Sequence, residues 1–135
     1  MPEGVGYGAN SPAGTGKTLN YLGNHAYGYS GVVETDNNET TLLEFEVDTT
    51  LLKGIIQFYY AEPSNDKFLY TVYVNNVAIV KYQVFGPNDT NGEHLLSLPI
   101  YIVIPPNTVV KCTAINNENS NSRGQCANFS GRVYK

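Results

Sequence analysis

The sequence predicts an all-β fold: a two-sheet antiparallel sandwich of jelly-roll type, with about eight strands and an extended N-terminal arm. Three observations predict it. Eleven Tyr and thirteen Gly stand beside one Met and no Trp, a balance that favours strands and turns. Apolar and polar residues alternate at a period of two in several windows, as a half-buried strand requires. No window of helical length keeps a 3.6-residue apolar period.

Residues 1–26 read as the arm and residues 27–135 as the sandwich. Eight of the thirteen glycines lie between Gly4 and Gly31, and glycine admits the irregular backbone of an extended path. The arm still carries Tyr7, Leu19, Tyr21 and Leu22, so it has apolar surface to bury, which a disordered tail usually lacks. Strands are then expected over residues 27–35, 40–48 and 53–60. In the second of these Leu43, Phe45 and Val47 alternate with Glu44, Glu46 and Asp48. Residues 67–75 and 77–84 form the clearest hairpin. Its turn is Asn75-Asn76, and asparagine tolerates the positive φ of primed hairpin turns. Residues 95–104 come next, with Leu96, Leu98, Ile100, Ile102 and Ile104 on one face. Pro99 falls on the other phase, which marks an edge or a bulge. Pro105-Pro106 ends that strand. Residues 108–115 and 125–134 close the chain as a hairpin around a polar loop.

Composition excludes several classes of function. A chain of 135 residues is one domain, large enough to fold without a disulfide or metal framework. Twelve acids against eight bases give a net charge of −4, without the clustered Lys and Arg that phosphate neutralisation needs, so no nucleic-acid partner is expected. No apolar run reaches the ~20 residues of a membrane-spanning helix. The opening MPEGVGYGAN lacks the cationic and apolar regions of a secretory signal peptide.

The motifs that suggest chemistry lack their structural context. Ser11-Pro-Ala-Gly-Thr-Gly-Lys17-Thr18 approaches the phosphate-binding loop GxxxxGK[ST], but its first glycine is a serine. No apolar strand precedes it, and Gly23 and Gly28 interrupt the segment after it. It reads as a loop with a solvated lysine. His25 and His94 are isolated, with no HxH or HxxxE spacing, so no metal site and no cofactor are expected. Glu44, Glu46 and Asp48 share one strand face, the usual wet side of a sheet. Asp66, Asp89 and Glu93 lie in loops without a partner pattern. No GxSxG elbow is present, and no catalytic residue is assigned. The sequons at Asn38, Asn88 and Asn128 are no more than chance gives in a chain this rich in Asn, Ser and Thr. Cys112 and Cys126 are expected as free thiols in a reducing compartment. Pairing residues 108–115 with 125–134 so that Val110 faces Phe129 puts the two sulfurs on opposite faces, and only a bulge would restore a disulfide between them. The tyrosines remain. They supply apolar area with a polar tip and suit protein interfaces or sugar stacking.

The run from Leu98 to Lys111 (LPIYIVIPPNTVVK), together with Asn128 to Tyr134 (NFSGRVY), resembles small virion proteins of tailed bacteriophages. The opening Gly6-Tyr-Gly and the segment Leu19 to Tyr27 are similar to their N-terminal segments. The resemblance covers about half the chain through short motifs and brings no catalytic residue. It implies a capsid decoration (cement) protein, a compact jelly roll that assembles as a homotrimer. Such a protein sits on the capsid exterior over contacts between major capsid proteins, after assembly in the host cytoplasm. Related sandwiches in head fibres and tails imply the alternative, a carbohydrate- or receptor-binding module using tyrosines with the 86–94 and 116–124 loops. The expected partners are therefore the major capsid protein and further copies of the chain. The residues expected to carry the capsid or subunit contact are Tyr7, Leu19, Tyr21, Leu22 and Tyr27.

Overall fold

A computed structural model describes residues 19–60, 67–85, 99–116 and 123–134. Among them the chain forms ten strands and no helix. These are β1 (Asn20–Leu22), β2 (His25–Tyr29), β3 (Val33–Thr35), β4 (Thr40–Val47), β5 (Leu51–Tyr60), β6 (Lys67–Val74), β7 (Val77–Phe85), β8 (Ile100–Ile104), β9 (Thr108–Asn116) and β10 (Arg123–Tyr134). They build two antiparallel sheets. One has six strands in the order β1-β2-β10-β5-β8, with β3 also on β10; the other has four, β4-β9-β6-β7.

The pairing order is that of a jelly roll. Strands β2 and β3 share one edge of β10, pairing with Asn128–Arg132 and with Arg123–Gln125 respectively, so together they act as one interrupted strand. The interruption is held at Ser30, whose N–H donates to the Ala127 carbonyl at 3.0 Å and whose hydroxyl accepts the Ala127 N–H at 2.8 Å. From there inward, β4 pairs with β9, β5 with β8 and β6 with β7. Early strands thus pair with late ones, and successive strands alternate between sheets. The exceptions are β1–β3, which stay in the six-stranded sheet with β1 and β2 as a hairpin, and the β6–β7 hairpin, where Asn75 (φ 49°) and Asn76 (φ 67°) form the expected left-handed turn.

The core lies between the sheets. Leu43, Phe45 and Val47 point into it, as their alternation requires, and Leu42 is buried as well because a bulge between Thr41 and Leu43 shifts the register. Phe45 of one sheet meets Phe129 of the other with ring centroids 5.1 Å apart, and Phe58 stacks on Tyr70 at 4.5 Å. The Tyr70 hydroxyl donates to Gln125 Oε1 at 2.5 Å, a buried polar contact across the core. Phe129 needs room on its own sheet. Gly54 and Gly131 face each other across β5 and β10 and supply it: a Cβ on Gly54 would come within 2.6 Å of the Gly131 Cα and 2.9 Å of the Phe129 ring.

Two expectations change. The boundary after residue 26 falls inside β2, and β1 and β2 are the edge hairpin of the six-stranded sheet. Leu19 packs against the core and Ala26 is fully buried, so residues 19–26 belong to the sandwich, while residues 1–18 lie outside the described residues. The hairpin expected between 108–115 and 125–134 does not form. β9 and β10 sit in different sheets, because consecutive jelly-roll strands cross from one sheet to the other. Cys112 and Cys126 are free thiols, as expected, but the reason is this sheet crossing rather than hairpin parity. Cys112 points into the core, and burial pushes its thiol from 9.0 up to about 12.

Two outcomes test this architecture. Gly54→Ala lowers unfolding stability by about 1–3 kcal/mol through overpacking against β10, read from urea denaturation. The neutral Cys112 thiol makes folding less favourable as pH rises from 9.0 towards about 12, because the unfolded chain loses that proton first. Stability measured across this window falls more steeply in the wild-type chain than in Cys112→Ala.

Candidate functional site

Strand parity decides what the outer face of the six-stranded sheet carries. Leu52, Ile56, Phe58, Ala127 and Phe129 point inward, so the alternate residues of β5 and β10 point out. The register then sets three rows across the strands. His25, Arg132, Lys53 and Val103 form one; Tyr27, Ser130, Ile55 and Tyr101 form the second; Tyr29, Asn128 and Gln57 form the third. Leu22 extends the first row at the β1 edge, and Tyr134 stands beside it at the end of β10.

This face is apolar to an unusual degree for a surface. Leu22, Tyr27, Tyr29, Tyr101, Val103 and Tyr134 are six of the ten large hydrophobic side chains that the described residues leave exposed, and all six stand here. Tyr101 is 77% exposed and Val103 57%, although both sit mid-strand on β8. A large exposed apolar patch marks an interaction surface. Two shallow depressions flank Ile55. One is lined by Tyr27, Tyr29, Gln57, Asn128 and Ser130, the other by Lys53, Tyr101 and Val103.

Lys53 and Arg132 are the cations of the first row. Arg132 lies directly opposite both His25 and Lys53. Lys53 Nζ lies 5.0 Å and the Arg132 guanidinium 5.7 Å from the centre of the Tyr134 ring, so one aromatic face attracts both cations. Among the described residues of this face, the carboxylate is Glu34, which pairs with Gly124 at the far end of β10.

The opposite sheet is polar and carries the acids. Glu44 faces Lys111, and Glu46 faces Val109, across β4 and β9. Glu39 accepts hydrogen bonds from the Tyr73 hydroxyl at 2.6 Å and from Thr113 Oγ1 at 2.7 Å. These bonds, Thr113 first, hold the Glu39 carboxyl below the usual carboxylate range. No three His, Cys, Asp or Glu side chains converge to hold a metal among the described residues. The ladder of Glu44, Glu46 and Asp48 is a strand face and turn, not a convergent site.

The expected contact residues separate. Leu22 and Tyr27 stand on the apolar outer face, whereas Leu19 and Tyr21 lie on the inward side of β1, Leu19 against the core and Tyr21 at the exposed edge. Tyr7, the loop 86–94, most of 116–124 and the glycine-rich segment ending at Lys17-Thr18 fall outside the described residues. Ile55, Tyr101, Val103, Lys53 and Arg132 were not expected as a site. One sequence signal pointed to it: with Ile100, Ile102 and Ile104 inward, the outward positions of that strand are Tyr101 and Val103 rather than polar residues.

No family model matches the chain, and no curated protein matches it. A solved β-glucosidase structure from Paenibacillus barengoltzii is similar at a TM-score of 0.43 and 12% identity, the match covering 85% of this chain and 11% of that one. The chain thus spans a small fraction of that protein's length, and a likeness this distant carries no statement about activity.

Proposed function

We propose that this chain is a non-enzymatic virion structural protein, a capsid decoration protein that binds the outer shell over contacts between major capsid proteins. In this reading the sandwich associates with further copies through its apolar sheet face, and the N-terminal residues reach the shell. The observation that carries it is the gathering of Leu22, Tyr27, Tyr29, Tyr101, Val103 and Tyr134 on one exposed face. Tyrosine and arginine at the centre of an apolar patch are the residues that dominate protein–protein contacts. The resemblance of residues 98–111 and 128–134 to phage virion proteins supports the same reading. A decoration protein needs a stiff body and an adhesive surface, and cyclic assembly multiplies contacts that are weak one by one.

A second reading has one observation in its favour. Gln57, Asn128 and Ser130 lie between Tyr27, Tyr29 and Ile55, and amides beside aromatic rings suit the hydroxyls and apolar faces of a sugar. Saturable binding to one class on a glycan array favours a fibre or tail module over a decoration protein.

Residues 19–26 are built into the sheet, so a deletion that removes the arm and spares the sandwich ends at residue 18. The chain lacking residues 1–18 keeps the cooperative thermal transition of the full chain but fails to co-sediment with capsid shells. Tyr27→Ser/Tyr101→Ser, both outside the core, lowers self-association by about tenfold or more, as loss of interface hot spots does, read by light scattering. Full shell attachment by the deletion, together with unchanged association of the tyrosine variant, overturns the reading.

A further inference from the structure

The register forces an arrangement that a free surface has no reason to keep. His25, Arg132 and Lys53 stand in line on neighbouring strands, with backbones about 4.8 Å apart. Like charges directly opposite each other destabilise a sheet. The Tyr134 ring attracts both Lys53 and Arg132, and an aromatic face offsets such repulsion only in part. The chain as a whole has a net charge of −4, so this row is a local inversion of its sign.

Carboxylates gather on and around another strand. Residues 36–48 hold five acids and no Lys or Arg. Two of them, Glu44 and Glu46, lie on β4, an edge of the four-stranded sheet. Glu44 and Glu46 project from its outer side around a depression that Phe45 and Val109 also line. Glu39 is already engaged by Tyr73 and Thr113; Glu44 faces Lys111 and Glu46 faces Val109 on β9, so these two are the carboxylates that the strand presents, with one cation beside them.

We propose that the occupant of the basic row is a second copy of this chain, docked by its β4 edge, with Glu44 and Glu46 against Arg132 and Lys53. Carboxylates on one side of a strand repeat every ~6.7 Å, whereas the cations repeat every ~4.8 Å across strands. A β4 edge lying across β10 and β5 therefore leaves a mismatch of about 2 Å per pair, within reach of two long, flexible side chains. The two surfaces differ, so the contact is head-to-tail, and repetition closes a ring or runs on as a filament. Pairing the face with itself about an axis through the row would stack cations on cations.

This inference rests on the reading that the apolar face binds protein, and it names the partner and the side chains that orient it. The test measures association of the full chain by light scattering at low and high salt. Lys53→Glu/Arg132→Glu and Glu44→Lys/Glu46→Lys each weaken association more than about tenfold, since like charges across an interface are strongly unfavourable. Combining all four substitutions restores the wild-type net charge and the association. The neutral pair Lys53→Gln/Arg132→Gln weakens it and flattens its salt dependence, with less disturbance to the fold. The proposal is overturned if either reversal leaves association unchanged, or if the fourfold swap stays as weak as its parents. A monomeric wild-type chain that is retained on heparin also overturns it, assigning the row to a polyanion. If the reversals do nothing while Tyr27→Ser/Tyr101→Ser dissociates the assembly, the apolar face stands as the interface and only the charge pairing fails.

Discussion

The register of β5 against β10 is the constraint on which the rest depends. Ten consecutive positions of Leu51–Tyr60 pair with Gln125–Tyr134 at the centre of the larger sheet. A slip of one residue would exchange the two faces of a strand: Lys53 and Ile55 would enter the core, and Leu52 and Ile56 would leave it. The facing glycines pin the register locally. The Phe129 ring lies where a Cβ on Gly54 or Gly131 would stand, so the ring fits only while the two glycines oppose each other. Core and outer face are therefore not separate features. The pairing that buries Phe129 against Phe45 also sets Arg132 beside Lys53 and Ser130 beside Ile55.

The edges and the face of the sandwich are treated differently. An open sheet edge invites strand-to-strand pairing, and proteins blunt such edges with short strands, proline, bulges and charge. β8 has five residues, and Pro105-Pro106 come directly after it. β7 carries the exposed Lys81, and its pairing with β6 shifts register between Val72 and Tyr73. β4 is bulged at Thr41/Leu43 and bears Glu44 and Glu46. No comparable protection covers the face formed by Tyr27, Ile55, Tyr101 and Val103. Association is thereby discouraged at the edges, where it would be open-ended and unspecific, and left open on a surface with a defined pattern of rings, depressions and charges.

Much of the fold was legible because it is written in local alternation. Leu43, Phe45 and Val47 announced β4, Asn75-Asn76 announced the β6–β7 turn, and Ile100, Ile102 and Ile104 announced the buried side of β8. The hidden part depends on partners distant in sequence. Nothing local in Cys112 or Cys126 says that their strands part into different sheets, and two adjacent strands read most simply as a hairpin. β1 has three residues, and the inward positions of β2 are the small Ala26 and Gly28, so neither carried a clear apolar alternation; β2 is a strand because β10 offers it an edge, and β1 because it pairs with β2. The basic row is the clearest case. His25, Lys53 and Arg132 lie far apart in the chain and become neighbours only through two ladders. The sole local trace of the face was a strand whose outward residues, Tyr101 and Val103, are as apolar as its inward ones.

The composition of the face separates two tasks. Exposed ion pairs contribute little on their own, about 0–1 kcal/mol each, and salt screens them. A row such as His25–Arg132–Lys53 therefore acts mainly on orientation and on the rate of encounter, by rejecting surfaces of the same sign. Affinity comes from apolar area removed from water, at roughly 25 cal/mol per Å2, and Tyr101, Val103, Ile55 and Leu22 hold that area. Setting Arg132 and Lys53 between Leu22 and Val103, with Tyr134 attracting both, makes the surface directional: a partner that buries the patch must present acid along that row. A face of apolar residues alone would bind many surfaces in many orientations. With the row in place, the same area selects one orientation, as the proposed head-to-tail assembly requires.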